Sequence, residues 1–111
     1  MARVKPLRGD VFLVVLDPIV GTEIKKTRPA VVVSNDACNA FGSRVVVMPL
    51  TSNVTTLFPG EAKVHVGAAP SRALGDQIRS IDKARLGKRI GRLKGDDLAA
   101  VDNALRITLD L

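Results

Sequence analysis

The side chains able to do chemistry are few and scattered. There is one histidine, His65, one cysteine, Cys38, and a set of polar residues at the ends of apolar runs. A metal centre needs several His, Cys, Asp or Glu at ligand spacing. His65 stands alone in the alternating run Lys63-Val64-His65-Val66, which predicts an outward-facing strand residue, and the carboxylates are dispersed. A nucleophile–base triad has no second member. No glycine-rich loop ending in Lys-Ser/Thr is present to cradle a phosphate. What remains is Thr27-Arg28-Pro29 before one apolar run, Thr51-Ser52 after another, and Gln77 and Arg79 two apart in a polar stretch. Arg28 precedes a proline, so its backbone is biased to an extended form. Taken singly, each of these is an ordinary solvated side chain.

The elements that would position them are short. Apolar, β-branched runs are cut by Gly, Pro, Asn and Asp. Strands are expected at residues 11–16, 29–33, 44–50, 61–66, 75–81 and 88–93. A long loop is expected over 17–27, one helical turn capped by Ser34-Asn35-Asp36 over 37–40, a loop over 67–71 and a turn over 83–87. If 75–81 is a strand, Gln77 and Arg79 share a face. Its polarity then marks either a sheet edge or a binding surface. From Asp96 the apolar positions Leu98, Val101, Leu105 and Leu109 recur every three or four residues, which predicts a C-terminal helix. Asp96 and Asp97 suit its first turn. Short strands followed by one helix suggest a small, strongly curved sheet or barrel.

The 111 residues fit a single domain spanning 1–111. Apolar residues make up 46%, enough for an unstapled core, and one thiol allows no intrachain disulfide, which suits a reducing cytoplasm. No apolar run is long enough to cross a bilayer. The net charge is +6, from 17 basic and 11 acidic residues. Such a surface attracts polyanions, or simply keeps the protein soluble. With three Phe, no Tyr and no Trp, recognition by stacking bases on aromatic rings is disfavoured.

Read together, the ordered motifs are more specific. Arg8-Gly9-Asp10-Val11, Leu16-Asp17-Pro18, Gly21-Thr22-Glu23, Arg28-Pro29-Ala30-Val31-Val32-Val33-Ser34, Pro49-Leu50-Thr51-Ser52 and Asp76-Gln77-Ile78-Arg79-Ser80-Ile81-Asp82 follow one another. This series resembles the MazF/PemK family, the toxins of type II toxin–antitoxin pairs that act as sequence-specific endoribonucleases. The stretch 53–62 departs from the family, with Thr-Leu-Phe-Pro-Gly in place of a tyrosine-containing segment. The resemblance implies a mainly β fold, a small SH3-like barrel of the CcdB/PemK type with a C-terminal helix, assembled as a homodimer. It implies single-stranded RNA, in particular mRNA, in a groove near the dimer interface. It further implies an acidic antitoxin whose tail occupies that groove, and operator DNA bound jointly with the antitoxin. Arg28 and Thr51 match the family's catalytic Arg and Thr. Glu23, Ser52 and Gln77 match positions near its groove, with Arg79 and Arg85 as further substrate-binding matches.

RNA carries its own nucleophile, the 2′-hydroxyl, so alignment and charge stabilisation can suffice without metal or cofactor. Arg28 would clamp the phosphoryl oxygens and Thr51 would add a hydroxyl donor. A guanidinium holds its proton firmly, so Glu23 is the candidate proton carrier. Two rivals share the expected barrel: a gyrase-poisoning toxin, and a barrel that binds RNA without cutting it. Leu105, Ile107 and Leu109 leave apolar surface on two sides of the last helix, for a second copy or for the barrel.

Overall fold

Runs of valine favour extended backbone, and each becomes a strand in the computed structural model, which describes residues 5–16 and 27–111. The strands are β1 (Asp10–Val15), β2 (Thr27–Val32), β3 (Arg44–Thr51), β4 (Glu61–Val66), β5 (Ala69–Leu74), β6 (Arg79–Asp82) and β7 (Leu86–Arg92). The helices are α1 (Asp36–Ala40), N-capped by the Asn35 side chain, and α2 (Asp96–Leu109). Every pairing is antiparallel, in the order β4-β5-β3-β2-β1-β7, with β6 added to β3. The curled sheet closes part-way into a barrel and α2 lies against it, as the mainly β reading expects.

The central strands β1, β2 and β3 are buried on both faces, which is why they read as continuous apolar runs rather than alternating ones. Val11, Val31, Met48 and Leu50 point to one core, completed by Ala62 and Val64 of β4, Ala73 of β5, and Val101 and Ala104 of α2. Phe12, Val14, Ala30, Val32, Val45 and Val47 point to a second core, closed by Ile81 and Leu86. Burying each large apolar side chain stabilises the fold by about 1.5–3 kcal/mol before entropy is counted. His65 is an exposed strand residue, with Nδ1 3.7 Å from Asp97 Oδ2.

Three expectations need correction. Residues 67–71 are not a loop: β4 and β5 form a tight hairpin with Val66 paired to Ala69. Gly67 supplies the positive φ of +61° that such a turn demands. The turn-like Gly-Ala-Ala-Pro composition hides a strand whose proline lies near its start, where proline is tolerated. Residues 75–81 are not one strand: Gly75–Gln77 is a single 3₁₀ turn and only Arg79–Asp82 is extended. Gly75 packs so tightly on Gly60 that a Cβ there would lie 2.0 Å from the Gly60 carbonyl oxygen, and this contact turns the chain. On α2 the inward stripe runs through Val101 and Ala104, and Leu109 is 49% exposed. Among the described residues no helix is long and apolar enough to cross a membrane.

Candidate functional site

The outer edge of β3 is shared by two strands. β6 covers its first half, with Val47 opposite Arg79, and β5 covers its end, with Leu50 opposite Ala73 and Thr51 opposite Arg72. Met48 and Pro49 have no strand partner on that edge among the described residues. The 3₁₀ turn Gly75–Gln77 bridges the interruption. On the other side β2 pairs with β3 through Ala30–Pro49, and this register, carried two residues further, sets Arg28 across from Thr51. Arg28 lies on the same face as Ala30, and Thr51 on the same face as Val47. Both therefore stand at the mouth of the second core.

That mouth is a groove of about 500 Å³. Its floor is apolar, from Leu16, Pro49, Leu50 and Leu74. Its polar groups are three arginines, Arg28, Arg72 and Arg79, with Thr51 and Gln77. Arg28 is exposed and Thr51 is half-buried. Thr51 Oγ1 accepts the Asn53 N–H at 3.3 Å. Arg79 donates to the Leu16 carbonyl at 2.6 Å. Gln77 reaches the groove from the 3₁₀ turn, not from a strand.

Ser52 and Arg85 are not brought into the groove. Ser52 is one residue out of phase with Thr51 and exposed beyond the strand end. Arg85 turns to the Val15 carbonyl, to which it donates at 3.1 Å. Arg79 and Arg85 thus hold the last two backbone carbonyls before residue 17. Glu23, Gly21-Thr22 and Asp17-Pro18 lie outside the described residues. Arg72 belongs to the groove but is not legible in the sequence, because it directly follows the expected loop 67–71 and falls in no expected strand. Recognising the β4–β5 hairpin would have found it.

Three guanidiniums, a hydroxyl and a carboxamide around an apolar floor suit a tetrahedral anion attached to a flat apolar group, that is, a phosphate with its base. Among the described residues no cluster of three or more His, Cys, Asp or Glu could hold a metal.

Sequence and fold both have counterparts among known proteins. The family described as the PemK-like, MazF-like toxin of type II toxin–antitoxin systems matches residues 7–109. Endoribonuclease MazF9 of Mycobacterium tuberculosis is 40% identical, over 94% of this chain and 96% of its own. Endoribonuclease EndoA of Bacillus subtilis is 37% identical, over 94% of each. The MazE–MazF crystal structure (Form-II) from Deinococcus radiodurans superposes with a TM-score of 0.82 at 28% identity, covering 97% of this chain and 98% of the other. A mycobacterial endoribonuclease in complex with its cognate antitoxin gives 0.78 at 26%, covering 96% of each. Near-complete coverage by both family and relatives settles the classification: this chain belongs to the PemK-like, MazF-like toxins of type II toxin–antitoxin systems.

Proposed function

We propose that this toxin is a sequence-specific endoribonuclease that cuts single-stranded mRNA in the arginine groove. The carrying observation is that Arg28 and Thr51, far apart in sequence, line one groove with Gln77 and Arg79. The naming of both relatives as endoribonucleases supports it.

In the proposed reaction the 2′-oxygen attacks the adjacent phosphorus and the bond from phosphorus to the 5′-oxygen breaks. The 2′-hydroxyl loses its proton and the leaving 5′-oxygen gains one. The products are a 2′,3′-cyclic phosphate and a free 5′-hydroxyl. Arg28 neutralises charge on the phosphoryl oxygens, and Thr51 donates its hydroxyl to the same group. Gln77 and Arg79 hold the flanking nucleotides, with Ser52 and Arg85 at the periphery. Glu23 is the proposed proton carrier. The chemistry is assigned to protein groups alone, without a metal ion.

The same reading makes residues 1–111 one working domain in the cytoplasm, where mRNA is accessible. It makes the toxin a homodimer, with an acidic antitoxin as its inhibitor. A structural neighbour described as an endoribonuclease in complex with its cognate antitoxin supports that partner. The toxin–antitoxin complex in turn is proposed to engage operator DNA.

Purified protein, alone with naked RNA, should cut it, and should do so equally well in EDTA. Arg28→Ala should lower the rate by roughly 100-fold or more with an unchanged melting curve. Cleavage by the variant at the parent's rate would remove Arg28 from the chemistry. Activity lost in EDTA and restored by magnesium would overturn the metal-free assignment. An inert parent would return the gyrase-poisoning or purely RNA-binding alternatives.

A further inference from the structure

We propose that Arg72 is a further substrate-binding residue, contacting an RNA phosphate next to the scissile one. The proposal rests on the groove being an RNA-cleavage site and adds a cation that the sequence motifs do not contain.

Arg72 sits on β5 directly opposite Thr51 and lines the same groove as Arg28. Arg28 and Arg72 flank Thr51 from the two strands beside β3, so their backbones stand about 10 Å apart. A phosphate held at Arg28 and Thr51 leaves Arg72 facing the next one along the strand.

The Arg72 guanidinium is held in place yet incompletely satisfied. Its side chain is only 16% exposed. One terminal nitrogen donates to the Thr56 carbonyl at 2.5 Å, which fixes its direction. Its Nε is buried without a hydrogen-bond partner. Nε pairs as an ion with Glu61 Oε1 at 3.6 Å, beyond hydrogen-bond length, and that oxygen accepts the Phe58 N–H at 3.0 Å. The Glu61 carboxylate lies on the buried Nε side of this cation, so the part of the guanidinium that lines the groove is the part an anion can reach. With Arg79, the groove then presents three cations to a polyanion.

The test uses an RNA oligomer that the parent cleaves, with a 2′-deoxynucleotide at the cut position so that it binds without reacting. Binding is measured against salt for the parent, Arg72→Met and Arg72→Lys. Arg72→Met should bind roughly tenfold more weakly, and its log–log salt slope should be shallower by about 0.7, the value for one phosphate contact on a single strand. Arg72→Lys should keep the parent's slope. On cleavable RNA the Met variant should lose in KM rather than in kcat. A Met variant with a lowered melting temperature but the parent's salt slope would overturn the proposal and leave Arg72 as an anchor for residues 52–60. A parent that neither cuts nor binds RNA would overturn the endoribonuclease reading itself.

Discussion

Asp10 and Arg28 both belong to motifs shared with the family, and burial separates their roles. Asp10 is 3% exposed and lies between Arg89 Nε at 3.1 Å and Arg92 at 3.0 Å, while its other oxygen accepts the Leu7 N–H at 2.9 Å. Its neighbour Gly9 has φ +95°, and a Cβ there would lie 2.8 Å from the Leu93 carbonyl oxygen. Arg8 donates to the Val33 carbonyl and pairs with Asp102 of α2. The Arg8-Gly9-Asp10 motif therefore ties the start of β1 to β7 and α2, and reads as architecture. Arg28 is exposed at the groove. Asp10→Ala leaves two half-exposed arginines free to hydrate but orphans the Leu7 amide. It should cost about 2 kcal/mol and lower the melting temperature by roughly 10 °C, with cleavage retained in the folded fraction. A thermal melt beside an activity assay checks both. An unchanged melting temperature would refute the structural role.

At the level of elements, the groove exists because β5 and β6 do not form one continuous strand. The break is set by Gly75, whose amide donates to the Gly60 carbonyl at 3.1 Å and whose missing Cβ makes room for that oxygen and for Thr108 of α2. In Gly75→Ala the new methyl would meet backbone, which cannot swing aside as a side chain can. The variant should be destabilised by about 1–3 kcal/mol. Because Gln77 rides on the same turn, RNA affinity should fall as well, even at temperatures where the protein is fully folded. Melting curves and KM values, taken together, test this. A variant with parental stability and KM would show that the turn tolerates the contact. The two missed assignments, β5 and the turn at 75–77, share one cause. Composition signals where a chain can turn, whereas pairing with β3 and contact with Gly60 decide where it does.

For the whole molecule, the net charge of +6 matches an acidic inhibitor or an RNA, and the apolar surface points to self-association. Ile107 and Leu109 at the end of α2 are 52% and 49% exposed, and Leu111 is 84% exposed. One side of α2 packs on the barrel through Val101 and Ala104, and at 3.6 residues per turn Ile107 and Leu109 fall on the two flanks of that side, next to the barrel surface that a second copy would cover. At micromolar concentration the protein should elute from gel filtration at about twice its 11.8 kDa chain mass. Elution at the chain mass across the concentration range would sink the homodimer.

The sequence by itself determined the strand-rich pattern, the C-terminal helix, the isolation of His65 and the family, because these rest on local periodicity and on residue types in a fixed order. It named Arg28, Thr51, Gln77 and Arg79 together, and those four line one groove. Only the tertiary structure decided that Arg85 holds the Val15 carbonyl, that Ser52 stands outside, and that Arg72 stands within. The physical reason is register. Which side chains meet across β2, β3 and β5 depends on cross-strand pairing, and on a glycine contact between residues 60 and 75 that no local pattern encodes.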